Sequence, residues 1–326
     1  MKRGIEYKVP LRLRINRTIY GMFDPGEYTR NLARARDFIK ERLPEGFTPL
    51  IALVPGSRGL DQIINTIEPV TDPIDYEDIP GFPRTKYAQH KGQLHAGYMN
   101  GIPIVVMRRR HLYEEGDSPN LVTTLKNITF PVYLSYLLDA KIYFATNAAG
   151  GLNELYKEGD LMVIKSHLSS FFPDAAFGPP LPFENGVHFP RQHNLYSDDL
   201  RELLISAAQN VQEEKTVHSG VYAAISGRHF EAPPDANLLR LLKVDAVGMS
   251  TVPEIQVAGR LGMDTVGVAF ISDIIDPDGV TITTLEQIRE MKHDITVLNR
   301  ICKIICEAIR LIGENRIAKN SGIQHS

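Results

Sequence analysis

The sequence predicts a single-domain α/β protein in which helices wrap a β-sheet, and three observations carry that reading. Short apolar runs of strand length recur at Leu50–Val54, Ile102–Met107, Lys141–Thr146, Leu161–Ile164, Val221–Ser226, Val244–Met249 and Thr265–Ile271. Helical patterns stand between several of them, near Ser197–Glu213, Pro233–Leu242 and Pro253–Leu261. Strands alternating with helices argue for a helix-covered sheet and against a sandwich. Finally, 326 residues with 43% in the hydrophobic set and a net charge of −3 are enough for a large core, and they exclude disorder as a whole-chain description.

The first helix is expected over Asn31–Leu43, where Leu32, Ala35, Phe38, Ile39 and Leu43 form one stripe and Pro44 stops it. Leu50–Val54 then empties into the glycine-rich turn Pro55-Gly-Ser-Arg-Gly-Leu60. The last helix has Thr284 and Gln287 as a capping pair, then Leu285, Ile288, Met291, Ile295, Leu298, Ile301, Cys302, Ile305 and Ile309 at spacings of three and four, with Gly313 as its end. Ser170–Asn194, rich in Pro, Phe and Gly, reads as a long ordered loop, a kind that usually carries function. With no Pro- or Ser-rich linker, the chain divides into a basic N-terminal arm (1–25), one domain (26–313) and a short tail (314–326).

Composition excludes several roles. Against 39 acidic residues, 36 basic ones leave no field that would make nucleic acid the main partner. No run of about 18 apolar residues exists to span a membrane. The N-terminus lacks the apolar segment of a secretory signal, so the expected compartment is the cytoplasm. Cys302 and Cys306, four apart on one helix, are badly placed for a disulfide and read as two reduced, largely buried thiols. No Cys/His cluster offers a metal site.

In open α/β sheets ligands gather at the carboxyl ends of strands. Those ends supply Gly56-Ser57-Arg58-Gly59, then Arg108-Arg-Arg-His111-Leu-Tyr113-Glu114, then Asn147-Ala-Ala-Gly-Gly151. Later ends supply Gly227-Arg-His-Phe230-Glu231, Met249-Ser-Thr251 and Ser272-Asp273. The first group suits an oxyanion, although it is neither a P-loop nor a dinucleotide fingerprint. Arginines after a buried strand suit phosphate, since a guanidinium clamps it bidentately, while a solvated basic edge is the bland alternative. Asn147–Gly151 reads equally as a ligand-approaching segment and as a tight turn. Glu231 and Asp273 are the carboxylate candidates; helix capping is the alternative for Glu231, just before Pro233-Pro234.

Taken in order, Gly56-Ser57-x-Gly59, Arg109-x-His111-x-Tyr113-Glu114, Thr146-Asn-Ala-Ala-Gly-Gly-Leu-Asn153, Gly159-Asp160, Gly227-x-x-Phe230-Glu231 and Ala246-Val-Gly-Met-Ser-Thr-Val-Pro-Glu254 resemble the trimeric purine nucleoside phosphorylases and their methylthioadenosine phosphorylase relatives. The resemblance spans about residues 30–312. It implies a twisted mixed sheet flanked by helices, a homotrimer, and a pentosyltransferase of purine salvage that splits purine nucleosides with phosphate. No cofactor is implied beyond phosphate as co-substrate. Carried over, Ser57, Arg109, His111, Ala148 (through its backbone) and Ser250 would hold phosphate. Tyr113, Tyr222, Met249 and His293 would meet the ribose, His293 at the 5′-hydroxyl. Phe230 would cover the purine, with Glu231 and Asp273 at its edge; His111, Glu231 and Asp273 are the candidate catalytic groups. Phe183 is the candidate for a ring supplied by a neighbouring subunit, and His90 for the gating histidine.

Three departures stand out. Arg58 replaces the second glycine of the family's Gly-Ser-Gly-Leu-Gly turn, and Ala88-Gln89-His90 replaces Pro-Gly-His. Asp273 stands where enzymes for 6-oxopurines carry Asn, which resembles the 6-aminopurine relatives, whereas Glu231 and His293 resemble the 6-oxopurine enzymes. Rival readings are a methylthioadenosine phosphorylase, a nucleosidase using water, and a catalytically inactive ligand-binding or scaffold homologue. Burial beside a second carboxylate is expected to leave one of Glu231 and Asp273 protonated, with Asp273 donating to the purine and a mixed base specificity as the result.

Overall fold

The computed structural model describes residues 23–56, 58–84, 92–108, 120–184, 195–211, 217–226, 231–276 and 294–320. Its strands are β1 (Ile51–Val54), β2 (Glu68–Pro69), β3 (Ile74–Asp75), β4 (Gln93–Met99), β5 (Ile102–Arg108), β6 (Ile142–Gly151), β7 (Leu161–Leu168), β8 (Val217–Ala224), β9 (Ala246–Gly248) and β10 (Asp264–Ile274). Six helices accompany them among the described residues: α1 (Pro25–Lys40), α2 (Leu121–Leu137), α3 (Asp198–Asn210), α4 (Pro233–Leu241), α5 (Val252–Arg260) and α6 (Ile295–Asn320), with a 3-10 helix at Arg58–Thr66. The strands join in one mixed sheet, in the order β10-β7-β8-β9-β6-β1-β5-β4-β2, with β3 also on β4. Because β10 also pairs with β6, one half of the sheet closes into a five-stranded barrel and the other half stays open. This is the mixed, helix-flanked α/β architecture the sequence implies.

Alternation along the central strands makes two cores. Ala52 and Val54, Val105 and Met107, and Tyr143 and Ala145 face α1, α2 and α5. Ile51 and Leu53, Ile104 and Val106, and Ile142 and Phe144 face α3, α6 and the 3-10 helix. A strand buried on both faces reads as an unbroken apolar run. A third, smaller cluster joins Leu239 of α4 to Val247 and Ile275.

Several boundaries differ from expectation. α1 begins at Pro25 and not Asn31, because Asp24 caps it: its Oδ1 accepts from the N–H groups of Gly26 (2.8 Å) and Glu27 (3.1 Å). The helix closes at Lys40, short of Leu43. β6 does not stop at Thr146; it runs through Gly151, so Asn147–Gly151 is strand paired to β10 and not a tight turn. Gly313 does not end α6, which continues to Asn320. A side chain there would collide with Ile102, its Cβ lying 2.1 Å from Cδ1, so this glycine serves close helix–strand packing. The proposed capping pair Thr284/Gln287 lies outside the described residues, and within them Asp294 accepts from Thr296 N–H (2.8 Å) at the start of α6. Cys302 and Cys306 are both free thiols; burial pushes the Cys302 thiol up to about 12. No helix among the described residues is long and apolar enough to cross a membrane.

The long loop is anchored by a buried polar chain. Lys126 in α2, 1% exposed, donates through Nζ to the Tyr133 hydroxyl (2.9 Å), which donates to Glu184 Oε1 (2.8 Å). Glu184 Oε2 accepts from Leu181 N–H (2.7 Å), and Tyr28 donates to the Lys126 carbonyl (2.6 Å). Burial holds the Lys126 ammonium down at about 8, against an ordinary 10.5, with Glu184 opposing the shift. Between those values the unfolded chain binds more protons than the folded one, so stability rises with pH there. Urea unfolding at about pH 9 is expected to give a stability about 1 kcal/mol higher than at about pH 7.5. Lys126→Met, which fills the space without a charge, is expected to remove about that difference; an unchanged slope would show that Lys126 is not the titrating group.

Candidate active site

The strand ends converge where β6 leaves the sheet's centre. The Gly56 N–H donates to Thr146 Oγ1 (3.0 Å), and a Cβ on Gly56 would fall 1.8 Å from the Thr146 carbonyl oxygen. Only glycine lets the turn leading to Ser57 lie directly on the β6 backbone. One residue on, Asn147 and Ala148 pair with Ala269 and Phe270 of β10. Gly150 pairs with Asp273 on one side and with Val247 on the other.

Asp273 is 4% exposed. Ser272 Oγ donates to its Oδ1 (2.6 Å), and its Oδ2 lies 3.1 Å from where a Cβ on Gly150 would stand. The carboxyl is thus laid flat over the glycine floor. The Arg240 guanidinium, donating to the carbonyls of Leu152, Ile275 and Asp276, fixes the chain just past it.

The turn between β9 and α5 carries Met249 and Ser250, both partly exposed, and delivers Ser250 to the amino end of α5. Thr251 follows with φ +72° and ψ −54°, and Val252 N–H closes onto the Ser250 carbonyl (2.8 Å). That is a γ-turn of the left-handed kind, rare for any side chain and rarer for a β-branched one. Strain of this sort costs about 1–3 kcal/mol and persists where surroundings over-determine it. Here Asn147 Nδ2 donates to Thr251 Oγ1 (2.8 Å) and Thr251 N–H donates to Glu254 Oε2 (3.1 Å), while the Tyr143 hydroxyl donates to Glu254 Oε1 (3.2 Å).

Tyr222 is fully buried in β8; a Cβ on Gly248 would lie 2.4 Å from its hydroxyl and 3.4 Å from the Ala148 carbonyl, so it stands at the junction of β6, β8 and β9. Glu231 lines a cavity of about 170 Å³ together with Phe171, Ile225, Ser226, Asp235, Leu238 and Leu239. Leu239 shares the third apolar cluster with Ile275, two residues past Asp273. Phe183 packs on α2 of its own chain, with ring centroids 5.8 Å from Tyr133 and 6.3 Å from Tyr136. The structure therefore gathers Ala148, Tyr222, Met249, Ser250 and Asp273 around the end of β6. Ser57, His90, Arg109, His111, Tyr113, Phe230 and His293 lie outside the described residues. Sequence reasoning did not single out Thr251, Glu254 or Tyr143, although Thr251-x-x-Glu254 has the spacing of a helix-capping pair. No group of three metal-binding side chains occurs among the described residues.

Comparison with known proteins identifies the family. The sequence profile of the Phosphorylase superfamily matches residues 51–310. Purine nucleoside phosphorylase 1 of Geobacillus stearothermophilus is 38% identical over 243 residues, covering 74% of this chain and 84% of that one. Purine nucleoside phosphorylase of Mus musculus is 33% identical over 273 residues, covering 81% and 91%. Among solved structures, Schistosoma mansoni purine nucleoside phosphorylase in complex with adenosine superposes with a TM-score of 0.74 at 27% identity, covering 86% of this chain and 96% of that chain. Isoform 2 from the same organism, in complex with cytosine and ribose-1-phosphate, gives 0.75 at 32% identity over 86% and 96%. On matched length, identity and fold together, the chain belongs to the purine nucleoside phosphorylase family.

Proposed function

We propose that the protein catalyses phosphorolysis of purine nucleosides, releasing the free purine and ribose 1-phosphate. The observation that carries this is the meeting of the Gly56 turn, the amino end of α5 at Ser250 and the buried Asp273 around Asn147–Gly151. Backbone N–H groups and a helix amino terminus favour an anion at one side of that floor. A buried carboxyl at the other side suits the polar edge of a base.

In the reaction a phosphate oxygen attacks C1′ of the sugar as the C1′–N9 bond breaks, and its electron pair leaves with the purine, which takes up a proton. Positive charge grows on the sugar and negative charge on the base, so an anion held beneath the sugar and hydrogen-bonding groups at the base stabilise the transition state more than the ground state. Ser57, Arg109, His111, Ser250 and the Ala148 backbone hold the phosphate; Tyr222 and Met249 border the sugar; Asp273 meets the purine. The resemblance also supports a homotrimer, which light scattering of the purified protein checks.

Purine release from inosine or adenosine is expected to rise saturably with phosphate and to yield ribose 1-phosphate. Release at an undiminished rate without phosphate would replace this reading with that of a nucleosidase. With His293 at the 5′-hydroxyl, adenosine is expected to exceed methylthioadenosine in kcat/KM by about tenfold, because a polar group left unpaired by the analogue costs about 1–3 kcal/mol. A clear preference for the methylthio substrate would assign the pocket to a methylthioadenosine phosphorylase.

A further inference from the structure

We infer that Glu254 and Tyr143 are positioning residues for phosphate: through Thr251 they hold the strained turn that presents Ser250. The inference rests on the reading of Ser250 as a phosphate ligand and adds two groups for which that reading has no role.

A γ-turn at φ +72° does not persist by its own preference. Left alone, Thr251 would relax toward negative φ, which would swing Ser250 and redirect the first N–H groups of α5. Among the described residues three bonds oppose this, and all the groups making them are buried. Glu254 takes the Thr251 N–H into its carboxylate, and Asn147 holds the Thr251 hydroxyl. The other oxygen of Glu254 is held by Tyr143, whose backbone is registered to Ala52 of β1 and Thr265 of β10. The turn is therefore referenced to the sheet's central strand, the same strand whose Thr146 accepts from Gly56. One strand thus fixes both the Gly56 turn and the Ser250 turn relative to each other. A carboxylate 4% exposed is costly to keep, and capping a nine-residue helix does not require one at this depth.

The test compares Ser250→Ala, Glu254→Ala, Glu254→Gln and Tyr143→Phe by steady-state kinetics with phosphate and nucleoside varied separately, each variant checked by thermal melting. Glu254→Ala is expected to raise KM for phosphate about tenfold while KM for the nucleoside stays within about twofold. Glu254→Gln, whose amide oxygen still accepts the Thr251 N–H, is expected to restore phosphate KM to within about threefold of the parent, and Tyr143→Phe to raise it about threefold. Equal changes in both KM values, or none in either, would overturn the inference. Should Glu254→Ala fail to fold, an unchanged phosphate KM in Tyr143→Phe overturns it equally. Ser250→Ala separates the two levels. If it leaves phosphate KM unchanged, the placement of phosphate falls and the inference with it. If it raises phosphate KM while Glu254→Ala does not, the positioning role alone falls.

Discussion

Arg109→Ala is expected to remove about 2–4 kcal/mol of transition-state stabilisation, a fall of about 30- to 1000-fold in kcat/KM measured against phosphate. Of the three consecutive arginines, Arg108 closes β5 and donates to Gln93 Oε1 on the neighbouring strand (3.2 Å), so it is engaged in the sheet. Arg109 is the next residue in sequence after β5, a strand that is parallel to β1 and separated from β6 by β1. In the proposed reading its guanidinium offers two parallel donors to the phosphate, and it keeps its charge across the whole working pH range. Lysine would supply the charge without the fork, so Arg109→Lys is expected to recover only part of the loss. Any slow release of base in phosphate-free buffer should be unaffected by either substitution. A drop of less than about threefold in Arg109→Ala would remove Arg109 from the phosphate site, because one electrostatic donor to a developing charge is worth far more.

How much of this was legible in the sequence depends on what each element buries. The doubly buried strands announced themselves as apolar runs, and the helices over one face showed stripes. α2 did not, because it is buried nearly all round: Val122, Leu125, Ile128, Phe130, Val132, Tyr133 and Leu134 leave no polar face to set a period, and Pro131 argues against a helix of this length. The extension of β6 was hidden for the opposite reason. Asn147–Gly151 is built of Asn, Ala and Gly, so it lacks the β-branched residues that mark a strand. Ser250 could be named from its motif and the Thr251-x-x-Glu254 pair from its spacing, whereas the Tyr143–Glu254 hydrogen bond joins residues 111 apart, which no local pattern shows.

Base preference turns on Asp273. Ser272 Oγ donates to its Oδ1, and its Oδ2 stands over Gly150; in the proposed reading that oxygen meets the base. As an acceptor it suits the exocyclic amino group of adenosine and opposes the O6 of inosine or guanosine. Asp273→Asn keeps the shape, keeps an oxygen for Ser272, and places an NH2 donor over Gly150 in every protonation state. The ratio of kcat/KM for inosine to that for adenosine is therefore expected to rise by about 1–3 kcal/mol, or roughly 5- to 150-fold, the worth of one altered hydrogen bond to a buried partner. Asp273→Ala provides the control, because it removes acceptor and donor alike and should weaken both substrates without the same swing. If the ratio in Asp273→Asn stays constant or moves toward adenosine, the purine edge lies elsewhere, and the cavity beside Glu231 becomes the place to look for it.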